Sequence, residues 1–188
     1  MDAFLISTGL VALAEIGDKT QLLAFVLAAR FKRPVPIVAG IFVATLVNHA
    51  MAASLGAWLM SVVGPDILRW ALGVSFIAMA LWTLVPDKLD ENDTKLVSGA
   101  GVFMATTLAF FAAEMGDKTQ IATVALAARY HAMLSVLAGT TLGMMIANVP
   151  AVLVGGRLAQ RLPVRWMHRI AALAFAALGV AALGPVNA

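Results

Sequence analysis

Glu15-Ile16-Gly17-Asp18-Lys19-Thr20-Gln21 returns, with Met in place of Ile, as Glu114-Met115-Gly116-Asp117-Lys118-Thr119-Gln120. Each copy lies inside a long apolar run. An ionisable group at bilayer depth costs roughly 2.5–3.5 kcal/mol or more. Two matched sets of Glu, Asp and Lys therefore point to a function that requires them. Outward from the heptapeptides, the stretches 3–29, 35–63, 67–86, 100–129, 133–156 and 166–185 are apolar. Each is near the roughly 20 residues that cross a bilayer as a helix. Of the 188 residues, 62% are hydrophobic and 12% charged. No soluble domain of this length covers so much apolar surface, so lipid is its solvent. The sequence predicts an all-α integral membrane protein of six transmembrane helices.

Continuous apolar runs exclude a barrel, whose strands alternate with period two. The start Met1-Asp2 has no basic region, and charges interrupt the first apolar run, so a cleaved signal peptide is not expected. The absence of cysteine removes disulfides and thiolate ligands together. A net charge of +3 does not indicate nucleic acid, because the basic residues sort by membrane side. Arg30, Lys32, Arg33, Lys88, Lys95, Arg157, Arg161, Arg165 and Arg169 follow the odd-numbered spans, and only Arg69 and Arg129 follow the even ones. The positive-inside rule then puts both termini outside the cytoplasm of a multi-pass protein in the cell inner (plasma) membrane.

The halves align without a gap at an offset of 99. Leu27-Ala28-Ala29-Arg30 matches Leu126-Ala127-Ala128-Arg129, Ala39-Gly40 matches Ala138-Gly139, Gly56 matches Gly155, Phe76 matches Phe175 and Pro86 matches Pro185. From 15 to 40, twelve of 26 positions are identical, too many for unrelated apolar helices. The reading is a duplication: repeat one at 1–86, a polar cytoplasmic linker at 87–99 and repeat two at 100–188. Three spans per unit is odd, so the second copy enters from the opposite side. The two are then inverted three-helix repeats, an arrangement that commonly puts a substrate site at the repeat interface with alternating access.

Glu15 lies about 12 residues, roughly 18 Å, into its span, near the midplane. On an unbroken helix Glu15, Asp18 and Lys19 share one face, and Gln21 is turned from Asp18 by about 60°. Gly17 and Gly116 lower helix propensity and could let the helix loosen, bringing a carbonyl or glutamine oxygen into the site. If the motif spans meet, Glu15, Asp18, Glu114 and Asp117 carry −4, offset to −2 by Lys19 and Lys118, and one divalent cation neutralises the rest. Carboxylate, amide and hydroxyl oxygens, with Thr20 and Thr119 among them, suit Ca²⁺, Mn²⁺ or Mg²⁺. Zinc prefers His or Cys. Crowded carboxylates in a poorly solvated site can also take protons, a basis for metal/proton exchange at one site. The lysines balance charge by pairing with Asp18 and Asp117.

Asn48, His49 and Asn148 are secondary candidates, as ligands or proton-path groups, with interhelical hydrogen bonding the plainer role. His49 and Asn148 match in register, whereas Asn48 matches Ala147. Pro150 stands where repeat one has Met51, so a kink is expected in the fifth span alone. Gly139, Gly143, Gly155 and Gly156 read as close-packing positions.

Taken together, the sequence resembles the GDT family of small cation/proton exchangers, which includes bacterial manganese exporters and Golgi and chloroplast members. The family's signature is two copies of Glu-x-Gly-Asp-[Lys/Arg]-[Thr/Ser], matched here at 15–20 and 114–119, and the resemblance covers essentially the whole chain. It implies transport of Mn²⁺, with Ca²⁺ as a second ion, against H⁺. It further implies Glu15, Asp18, Glu114 and Asp117 as the binding acids, with Gln21 and Gln120 as further ligands. The metal and H⁺ are then substrates, with no cofactor and no enzymatic step. Export of a divalent ion costs about 4.6 kcal/mol at 100 mV inside-negative, so it must be coupled, and inward protons are the available drive. Two other readings compete. One is an exporter of a cationic organic solute such as an amino acid, and the other an intramembrane aspartyl enzyme. The Lys after each Asp argues against both. A homodimer is compatible with six short spans.

Overall fold

The structure, a computed structural model, describes residues 1–85, 101–154 and 164–184. Every regular element among them is helical: α1 (Asp2–Glu15), α2 (Lys19–Phe31), α3 (Pro34–Val62), α4 (Pro65–Thr83), α5 (Val102–Glu114), α6 (Lys118–Tyr130), α7 (Met133–Val154) and α8 (Val164–Leu183). The expected set of six continuous helices needs correction in two places. The first and fourth apolar runs are each broken at the repeated motif.

The break has a local cause. Ile16 is extended (φ −67°, ψ 116°), Gly17 has φ +85°, and the Asp18 N–H donates to the Glu15 carbonyl at 3.0 Å. These are the marks of a type II β-turn. Met115 (φ −66°, ψ 117°), Gly116 (φ +77°) and the Asp117 N–H bond to the Glu114 carbonyl at 3.1 Å repeat it. Such a turn needs positive φ at its third residue, which glycine alone adopts without strain. Glu-x-Gly-Asp therefore encodes helix, turn, helix. The continuous face holding Glu15, Asp18 and Lys19 does not form, because Glu15 ends α1 and Asp18 is the N-cap of α2.

By length and composition α3, α4, α7 and α8 can each cross a membrane. The other four helices have 13 or 14 residues, about 20 Å each, too short to cross alone. The polarity of the molecule is turned inside out. Leu5, Trp58, Trp70, Leu81, Leu134 and Leu173 are exposed, while Glu15, Asp18, Glu114 and Lys118 are buried. Together with the apolar helices, this makes the chain an all-helical membrane protein.

Packing repeats at the sequence offset. Gly40 in α3 faces α5, where a Cβ would come within 2.8 Å of Thr106 and 2.9 Å of the Phe103 carbonyl. Gly139 in α7 faces α1, where a Cβ would come within 2.5 Å of the Phe4 carbonyl and 3.0 Å of Ser7. All three pairs, Gly40 and Gly139, Phe4 and Phe103, Ser7 and Thr106, are 99 positions apart. Lys32 and His131, matched at the same offset, close α2 and α6 in the left-handed region at φ 52°. Helices α4 and α8 pack together, with the matched rings of Phe76 and Phe175 centred 6.5 Å apart. α7 runs through Pro150 as one helix. The linker at 87–99, Pro86, Pro185, Gly155, Gly156, Lys88, Lys95, Arg157 and Arg161 lie outside the described residues.

Candidate metal centre

The two turns deliver acids to one point inside the bundle. Carboxylate oxygens of Glu15, Glu114 and Asp117 lie within 4.8 Å of one another, and all three residues are buried. Each glutamate accepts a hydrogen bond on Oε2 from the threonine of its own motif, from Thr20 at 2.6 Å and from Thr119 at 3.1 Å. The second oxygen, Oε1, of both glutamates is buried and meets no donor among the described residues. Glu15 and Glu114 end α1 and α5, where unpartnered helix carbonyls carry partial negative charge. Asp18 and Asp117 stand at the opposite kind of helix end, before α2 and α6, where a carboxylate is stabilised. The glutamate side of the turn thus favours a cation.

The lysines cross between the halves. Lys118 bonds Asp18 with both side chains fully buried, and Lys19 Nζ lies 3.3 Å from Asp117 Oδ1. Asp18 is outside the set of three, so the four acids are not equivalent in this arrangement. The glutamines hold the turns. Gln21 Oε1 accepts from the Gly17 N–H at 2.9 Å, and Gln120 Oε1 from the Gly116 N–H at 2.7 Å. Each glycine N–H lies between two helices with no ladder partner, and the glutamine four residues on supplies one. The oxygens anticipated as metal ligands are therefore directed at the backbone. Their amide groups reach the other half, Gln21 Nε2 to the Ala147 carbonyl at 2.9 Å and Gln120 Nε2 to Asn48 Oδ1 at 3.5 Å. Asn48 in turn donates to the Phe111 carbonyl at 3.1 Å, and Asn148 to the Met144 carbonyl at 3.1 Å. His49 is buried, has no partner for either ring nitrogen among the described residues, and does not join the acidic group.

Residues 3–91 and 102–187 match the family described as "Divalent cation/proton antiporter GDT1". The chain belongs to this family. It is 52% identical over 182 residues to a Vibrio cholerae protein named "Putative manganese exporter", covering 96% of this chain and 90% of that one. It is 29% identical over 195 residues to the Synechocystis "GDT1-like protein sll0615", with 93% of each chain covered. A rice protein, "GDT1-like protein 3" of Oryza sativa subsp. indica, is 26% identical over 204 residues, 95% of this chain and 72% of that one. No solved structure matches. GDT1 membership makes the chain a divalent-cation transporter rather than an enzyme, with the metal ion as substrate.

One contact at the GDT1 motif was not signalled by the sequence. His168 of α8 donates from Nε2 to the Ile16 carbonyl at 2.9 Å, in the middle of the first turn. Nothing in the spacing of His168, four residues into a basic helix start, separates it from an interfacial side chain. Only its burial does.

Proposed function

We propose that the protein exports Mn²⁺, with Ca²⁺ as the second ion, in exchange for protons. The two motifs form one midplane site, reached alternately from the two faces of the membrane. The observation carrying this reading is the convergence of the buried carboxyl groups of Glu15, Glu114 and Asp117, with Oε1 of each glutamate lacking a donor among the described residues. Buried carboxylates brought together with few donors are costly, and either a divalent cation or protons relieve that cost. The two ligands then compete for the same oxygens, which is exchange. Oxygens across a bound cation stand about twice the metal–ligand distance apart, about 4.2 Å for Mg²⁺ and about 4.6–5.2 Å for Ca²⁺. The separation of 4.8 Å or less fits a compact ion better than an organic ammonium. The exporter name of the Vibrio relative supports the choice of Mn²⁺ and the direction.

In this reading each broken motif helix crosses the membrane as one span. The chain then has six spans, in inverted repeats at 1–86 and 100–188 joined by the cytoplasmic linker 87–99, in the plasma membrane with both termini outside. The exchange of contacts at an offset of 99 supports the internal two-fold. Asp18 completes the site as reserve acid, Lys19 and Lys118 balance its charge, Gln21 and Gln120 staple the turns, and Thr20 and Thr119 donate their hydroxyls to the glutamates. Asn48, His49 and Asn148 line its surroundings.

The test is proton movement driven by Mn²⁺, Ca²⁺ or Mg²⁺ in proteoliposomes of the purified chain. Mn²⁺-driven proton flux that Asp18→Asn and Glu114→Gln both abolish is the expected result. Mn²⁺ uptake with no response to a proton gradient would refute the coupling.

A further inference from the structure

The two turns have the same backbone but different covers. Over the first, α8 closes down: a Cβ built on Gly17 would lie 2.1 Å from Val164 Cγ1, and His168 holds the Ile16 carbonyl at 2.9 Å. Over the second, no helix among the described residues forms such a lid. A Cβ on Gly116 would meet nothing within 4 Å among the described residues, and Met115 is 48% exposed. The helices agree with this. α8 packs on α1 as well as on α4, whereas α4 packs on α6 rather than on α5. Repeat two thus lends its last helix to the turn of repeat one, and repeat one does not return the contact.

From this asymmetry we infer that His168 is the latch of a lid formed by the start of α8, and that Arg69 is its counterpart in the opposite transport state. Arg69 is the residue 99 positions before His168, in the matching first turns of α4. It occupies the rim of a cavity of about 260 Å³ between α4 and α6. Its Nε is buried with no hydrogen-bond partner among the described residues. When the halves exchange conformations, α8 lifts from Gly17 and α4 swings over Gly116. The guanidinium then donates to the Met115 carbonyl as His168 now donates to that of Ile16. A carbonyl only accepts, so both latches are donors, and they act on the central peptide of the turn that orients the adjoining Glu and Asp. His168 is a positioning residue in this scheme, with no contact to the metal.

The inference rests on the inverted-repeat reading, but its test uses neither metal nor protons, so a failure of Mn²⁺/H⁺ coupling would leave the latch standing. The chain has no cysteine, which gives a clean background for labelling. Ile16→Cys is placed in the full chain in lipid nanodiscs, open to reagent from both faces, and its rate of reaction with a charged maleimide is read. Adding His168→Ala should raise that rate about fivefold, the effect of losing one net hydrogen bond on a two-state population. Adding His168→Gln, which keeps a donor, should leave it within about twofold of the parent. Adding Arg69→Ala should lower it, because the competing state loses its own latch. Opposite signs for the His168 and Arg69 variants are what a merely structural role does not produce. An unchanged rate with His168→Ala, or changes in the same direction for both alanine variants, overturns the proposal.

Discussion

Glu114 sits where three buried carboxyl groups converge, with one of its oxygens bonded by Thr119 and the other without a donor among the described residues. A bound cation should therefore stabilise the fold. At a concentration of 100 times its Kd, Mn²⁺ should add about 2.7 kcal/mol to stability, read as a rise in the thermal midpoint of the detergent-purified protein. Glu114→Gln keeps the shape and removes the charge, so this Mn²⁺-dependent rise should vanish without loss of the metal-free fold. The Lys118 and Asp18 pair makes a second prediction at this scale. Both side chains are fully buried, and removing one takes its buried counter-charge from the other. Lys118→Met should cost about 3–5 kcal/mol in unfolding experiments. Lys118→Met with Asp18→Asn should recover most of it while transport stays lost. Equal losses in the single and double variants would show that the pair is not coupled.

Among the elements, the broken helices are the decisive ones. Each turn depends on a glycine at positive φ, but the surroundings of the two differ, and the difference is measurable. Gly116→Ala should cost about 1–2 kcal/mol, the strain of a left-handed alanine. Gly17→Ala should cost about 1–3 kcal/mol more, because its methyl would also drive into Val164. Denaturation of the two variants side by side checks this, and equal costs would mean that α8 does not press on the first turn. The other element-level contact is between small residues and backbone. Gly139 lets α7 approach the Phe4 carbonyl of α1, and Gly143 lets it approach that of Thr8. Gly139→Val should force these helices apart and lower both stability and the yield of folded protein.

At the scale of the whole molecule, the proposed pair of three-span units of opposite orientation has a topological consequence. In that arrangement the even number of spans puts both ends of the chain on one face, and the positive-inside rule makes it the outer one. Protease-cleavable tags at the two termini should both be cut in intact spheroplasts, while a tag within 87–99 should be protected. A tag at one terminus that resists cleavage would exclude the six-span arrangement. In the proposed alternating-access scheme, the matched packing of Gly40 and Gly139 and the contact of Phe76 with Phe175 form the shared interface about which the two units rock. In the same scheme, the uneven covering of the two turns among the described residues gives that rocking its present direction.

Membrane class, duplication and the acidic motif were legible from residues alone. Hydropathy, a repeat at fixed offset and charge inside an apolar run are properties of the chain and do not depend on how it folds. Gly17 and Gly116 already hinted at a weak point in the helix, and a Glu-x-Gly-Asp spacing is compatible with a turn, but propensity could not choose between a loosened helix and a full break. The choice came from tertiary contacts: the two glutamines bond across to α7 and α3, and the turns are held open at the centre of the bundle. The pairing of Lys118 with Asp18, the separation of Asp18 from the other acids, and the hold of His168 on Ile16 were likewise decided only in three dimensions. The sequence offers two nearly identical motifs, and nothing in near-identity says which copy is covered. In the alternating-access reading proposed above, that asymmetry arises because two equal units packed about one site cannot both close over it at once.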